Sequence, residues 1–145
     1  MKLKILIIIA ILPFTVPLKT EFVQIKKPLS DLAIRETLMD YIEGTAHGQP
    51  DRLMKAFHED MNLYSISNDT LKVLSGKTYT SYYKPGQKRD RIGKIISIDH
   101  VNDAAMAKLE IDYPYRRILY TDYILLLRIK GQWKIIQKSY TSVKY

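Results

Sequence analysis

The chain has 145 residues, 46% of them hydrophobic and 26% charged, which suits one domain with a real core plus a short leader and excludes global disorder. It contains no cysteine, so disulfides, thiolate metal sites and cysteine nucleophiles are excluded. The formal charge is +8, but Lys2, Lys4 and Lys19 lie in or beside the leader and leave +5 for the body, with no recognition helix or RNP-like motif, so nucleic acid is not an expected partner.

Met1 to Lys4 is basic, and Ile5 to Leu18 is a fourteen-residue apolar run interrupted by Pro13 and Pro17. A spanning helix wants about 20 apolar residues. Residues 1–20 therefore read as a signal peptide, with an uncleaved anchor through residues 5–18 as the alternative, and the expected location is periplasmic or secreted. No A-x-A pattern precedes Glu21. A basic, Pro-containing stretch follows and reads as a linker over 21–29.

Ser30 is a helix N-cap with Asp31 in the first turn. Ile34, Leu38, Tyr41, Ile42 and Thr45 then share one face of an amphipathic helix, which Gly44 and Gly48 end. Pro50 opens a short second helix carrying Leu53, Met54 and Phe57. Asn62 to Ser67 reads as a strand, Asn68-Asp69 as a turn, and Leu71 to Val73 as its return. Tyr79, Tyr82 and Tyr83 place a third helix over Gly76–Lys84, which Pro85-Gly86 stops.

Four antiparallel strands follow: Ile92–Val101, Ala104–Tyr113, Arg117–Ile129 and Gln132–Val143. Asn102-Asp103 and Lys130-Gly131 are turns. Ile124 and Leu126 are apolar on what should be the wet face of their strand, so both of its faces are expected to be covered, the outer one by a second layer or subunit. Helices early and strands late give an α+β domain over 30–145, with a curved, mostly antiparallel sheet wrapped over the long helix as an open-mouthed cone.

Tyr41-Ile42-Glu43-Gly44, Ala56-Phe57-His58-Glu59-Asp60, Ile96-Ser97-Ile98 with Ala104 to Ala107, and Thr121-Asp122-Tyr123 leading to Gly131-Gln132-Trp133-Lys134-Ile135-Ile136 together resemble the NTF2-like superfamily. Within it they are similar to the group called "putative lumazine-binding", or SnoaL-like. The resemblance spans about Leu29 to Tyr140. It implies a six-stranded cone, frequent homodimers through the outer sheet face, and diverse functions that the fold does not settle. Gln49 and Glu59 depart from the family's usual Asp and Pro. In the ketosteroid isomerase branch a Tyr corresponds to Tyr41, but the catalytic Asp falls on Ser65, which cannot serve as the base without an activating partner.

Eleven tyrosines, against three Phe and one Trp, suit a half-wet cavity as well as strand filling. Tyr41, Phe57, Tyr64, Tyr79, Tyr123 and Trp133 are the candidate ligand-binding residues, lining a cone for a small, partly apolar or aromatic molecule. No catalytic residue, metal site or cofactor is assigned. His58 and Asp60 read as structural, because His47, His58 and His100 are the chain's three histidines. His100 reads as a turn residue. Asp112 and Asp122 read as exposed strand positions, and Lys84, Lys88, Arg89, Arg91 and Lys94 as a solvated loop. The alternatives to a binding protein are a SnoaL-like cyclase, hydratase or isomerase, and a homodimeric interaction module using Ile124, Leu126 and Ile136.

Overall fold

The computed structural model describes residues 19–145, with side-chain surroundings from Leu29 onward; all but the last two residues of the leader expected over residues 1–20 lie outside them. Helix α1 spans Lys19–Ala46 and α2 Pro50–Ala56; strands β1, Phe57–Ser67, and β2, Thr70–Ser75, precede helix α3, Gly76–Ser81. Strands β3, Ile92–Val101, β4, Ala104–Tyr113, β5, Ile118–Ile129, and β6, Gln132–Lys144, complete one sheet in the order β2-β1-β6-β5-β4-β3. All neighbours are antiparallel except β1 and β6, which run parallel. The expected α+β class and the cone over a long helix are both present.

The predicted apolar face of α1 packs against the sheet: Ile34, Leu38, Tyr41, Ile42 and Thr45 are all buried. Gly93 of β3 makes close approach possible, because a Cβ there would sit 2.5 Å from Cγ2 of Ile42. The helix starts at Lys19 rather than at Ser30, so it runs through the expected linker; Lys, Glu and Gln are good helix formers there and carry it past Pro28. Phe57 opens β1 instead of closing α2, pairing in register with Ile135 of β6. That partner is 78 positions away in sequence, which no local pattern reveals. Helix α3 is shorter than predicted, and Tyr82 and Tyr83 lie just beyond it.

Turns follow their residue types. Asn68-Asp69 and Lys130-Gly131 each place two successive residues at positive φ, the type I′ geometry that matches the twist of a hairpin. Lys130, at φ 50, has no local reason to prefer that conformation.

The faces of β5 are the reverse of those expected. Asp122, Ile124 and Leu126 point inward and are buried, whereas Tyr123, Leu125 and Leu127 are partly exposed on the outer face. The strand is apolar on both sides, so alternation does not orient it; the ion pair that Asp122 finds inside does. His100 belongs to β3, not to a turn, and packs edge-on against Trp133 with Nε2 3.0 Å from the Asp31 carboxylate.

Candidate functional site

The open end of the cone holds a cavity of about 250 Å³ whose walls are largely tyrosine. Helix α3 contributes Tyr79, and the chain just beyond it contributes Tyr83, while Tyr41 of α1 lies buried behind the lining and holds it by hydrogen bonds. Arg91 stands immediately ahead of β3, Tyr113 ends β4, Asp122 lies on β5, and Lys138 and Tyr140 lie on β6.

A β-bulge aims Lys138. Leu125 pairs with Gln137 and Leu126 with Ile135, which leaves Ile136 as an extra residue. Before the bulge, Trp133 and Ile135 face inward; after it, Lys138 does. Strict alternation from Trp133 would have turned Lys138 to solvent, so the insertion re-aims one side chain into the cavity.

Tyr41, Arg91, Asp122 and Lys138 form a buried network. The Tyr41 hydroxyl donates to Asp122 Oδ2 at 2.6 Å and accepts from Arg91 Nη2 at 2.7 Å and from Lys138 Nζ at 3.0 Å. Lys138 also donates to Asp122 Oδ2 at 3.1 Å. Arg91 Nη1 is directed at three more phenols: Tyr83 at 2.9 Å, Tyr113 at 3.1 Å and Tyr79 at 3.2 Å. Its guanidinium also lies 5.3 Å from the Tyr41 ring centre. Arg91 Nε and Asp122 Oδ1 are buried with no partner.

These contacts divide the phenols. Burial pushes Tyr41 well above its ordinary value, with Asp122 adding to the effect and Arg91 opposing it. Burial likewise raises Tyr83. Tyr79 goes the other way: burial works to raise it, but Arg91, Lys138 and the hydroxyls of Tyr83 and Tyr41 outweigh that and bring it down to about 8. Arg91 is held firmly charged, the four surrounding phenols overcoming the cost of its burial.

Of the six residues expected in the cone, Tyr79 lines this cavity, and Tyr41 and Phe57 pack in sequence behind its ring. The rings of Tyr41 and Phe57 are 5.7 Å apart, and those of Phe57 and Tyr79 6.1 Å. The other three lie elsewhere. Tyr64 and Tyr123 occupy one outer-face row, each paired with Ser139 of β6. Trp133 sits at the far end of the cone beside His100, where Thr37 reaches its carbonyl.

Arg91, Asp122 and Lys138 are residues that sequence reasoning missed. Arg91 and Asp122, expected exposed, are buried, because each finds partners only after the helix and sheet meet. His58, Glu59 and Asp60 do gather, their donor atoms within 4.8 Å, but Glu59 and Asp60 are exposed and His58 accepts from the Asp60 backbone.

A family model described as "Putative lumazine-binding" matches residues 30–141. An NTF2-like protein of unknown function from Shewanella baltica is 22% identical with a TM-score of 0.72, covering 82% of this chain and 98% of its own. Another from Silicibacter pomeroyi is 19% identical with a TM-score of 0.70, covering 80% and 98%. A third, from Methylobacillus flagellatus, is 22% identical with a TM-score of 0.64, covering 87% and 95%. At these identities the likeness is one of fold. No curated protein matches the chain.

Proposed function

The chain belongs to the NTF2-like superfamily, in the family described as "Putative lumazine-binding", and from that premise we propose that its cone binds a small, flat, partly apolar or aromatic molecule. The observation that carries this reading is the tyrosine-walled cavity, whose lining also includes Arg91, Asp122 and Lys138 as polar groups among the rings. At about 250 Å³ it suits a molecule of one or two rings rather than the larger ligands of ~300–1,000 Å³ pockets. Thermal stability of the protein, measured against lumazine, flavin and steroid-like compounds, tests it. Stabilisation that is lost when Tyr79 is changed to Ala supports binding in the cone, and no response to any class overturns it. Trp133 is at the other end, so its fluorescence is a poor reporter.

A second reading has its own support. Asp122 is a fully buried carboxylate in the cavity wall beside an acidified phenol, the equipment of an acid–base enzyme of SnoaL-like cyclase, hydratase or isomerase type. Turnover that Asp122→Asn abolishes while binding survives separates it from pure binding. As partners, a second copy on the outer sheet face is proposed, along with export through the leader. N-terminal sequencing of the exported protein tests the latter, and a chain still beginning at Met1 overturns cleavage.

A further inference from the structure

The charges at the cavity floor do not balance. Arg91 and Lys138, both over nine-tenths buried, share one buried carboxylate, Asp122, which Lys138 bonds directly and Arg91 reaches through the Tyr41 hydroxyl. Among the described residues, the other buried acid is Asp40, which Arg52 and Lys55 engage directly. One excess positive charge therefore sits out of water, where an unpaired ion is costly. Donors remain for a partner. The Lys138 ammonium has three N–H bonds and two hydrogen-bond acceptors, Tyr41 and Asp122, while Arg91 Nε has none. The Tyr79 oxygen accepts from Tyr83 at 2.8 Å and from Arg91, so its own proton remains to be given away.

Resting on the reading that the cone binds a flat molecule, we infer that its ligand is a small organic monoanion, an aromatic or planar carboxylate, whose charge completes the floor between Arg91 and Lys138. Tyrosine rings supply the apolar walls, and the cations supply charge-assisted hydrogen bonds to the carboxylate. The single excess charge favours a monoanion over a dianion. Arg89 and Arg116, stacked on Tyr83 and Tyr113 at the rim, add attraction that salt screens.

Tyr79 is the alternative anion. The groups facing it are Tyr41 from α1, Tyr83 beyond α3, Arg91 ahead of β3 and Lys138 from β6; β1 supplies the uncharged Phe57. When the cavity is empty and the medium alkaline, the Tyr79 phenolate balances the floor. A bound carboxylate takes that role, so the phenolate must recover its proton. Anion affinity then falls above pH 8, roughly tenfold per unit, since one proton is taken up for each anion bound.

The test uses the full chain with benzoate and with benzamide, its uncharged counterpart of the same shape. Benzoate should bind at least about tenfold more tightly, the worth of a charge-assisted contact. At alkaline pH it should also bleach the ultraviolet absorbance of a tyrosinate. Tyr79→Phe, which removes one of the donors left for the anion, should weaken benzoate at neutral pH and flatten its pH profile. Lys138→Met should weaken benzoate but not benzamide; if that variant does not fold, the tyrosinate signal of the unaltered chain carries the test. Equal binding of benzoate and benzamide overturns the anion and leaves the cavity reading standing. If no flat compound of either kind binds, both fall. A pH profile unchanged in Tyr79→Phe overturns the role of that phenol.

Discussion

The Tyr41 hydroxyl has one proton and two lone pairs, and all three are used, on Asp122, Arg91 and Lys138. Replacing it with Phe keeps the ring, strands Arg91 Nη2 in a buried place and leaves Lys138 and Asp122 only each other. The expected cost is about 2–3 kcal/mol, read as a lower urea midpoint with an unchanged slope. Tyr79 adds a pH dependence. In the fold its proton leaves near 8, against an ordinary 10, so between those values the unfolded chain holds a proton that the folded one has released. Stability therefore rises with pH across that window, by at most on the order of 2 kcal/mol from this group. Above 10 the sign reverses, because Tyr41 and Tyr83 keep protons in the fold that the unfolded chain loses. Denaturation at pH 8 and pH 10 should show the rise, and Tyr79→Phe should lack it. At this scale the sequence was half legible. Tyr79 lies in the cavity wall, with Tyr41 and Phe57 packed behind it, and the three could be picked out as aromatics because that signal is local. Arg91 was not, since a charged residue in a basic loop is ordinarily solvated and only four distant phenols make its burial tolerable.

Periodicity identified nearly every element, because α1 and the last four strands carry their own signals of 3.6 and 2 residues. What it missed was register. The extra residue Ile136 leaves no mark in composition, yet it decides that Lys138 faces the cavity. The first half of β1 was missed for a similar reason, its partner being the distant β6. Turns test how far local chemistry matters. Lys130 sits at φ 50 ahead of Gly131 and bears the cost of a left-handed backbone with a side chain that does nothing to offset it. Lys130→Asn creates the Asn-Gly pair that this turn prefers and should stabilise the protein by about 0.5–1 kcal/mol. A raised melting temperature checks it, with ligand affinity unchanged because the turn lies at the far end of β5 and β6 from Asp122 and Tyr140.

The sheet separates two surfaces, and the doubly apolar β5 is the wall between them. A two-sided strand was legible in the sequence; which side faced the helix was not, since the inward side includes Asp122. The outer side presents Tyr123, Leu125 and Leu127, with Met106 of β4 directly opposite Leu125, each between about a third and a half exposed. A contiguous apolar stripe on a central strand is unusual for a monomer, and a two-fold axis through it would bury the stripe against its own copy. Leu125→Glu tests the proposed dimer. Near such an axis the new carboxylates face each other in an apolar seam, so association should fail. An exposed position tolerates the change within about 0.5 kcal/mol, so each subunit should stay folded. The cavity opens on the other face, and its ligand affinity should persist in the variant. Light scattering decides: a dimer that Leu125→Glu converts to a folded monomer supports the interface, whereas a natural chain that is already monomeric at tens of micromolar removes it.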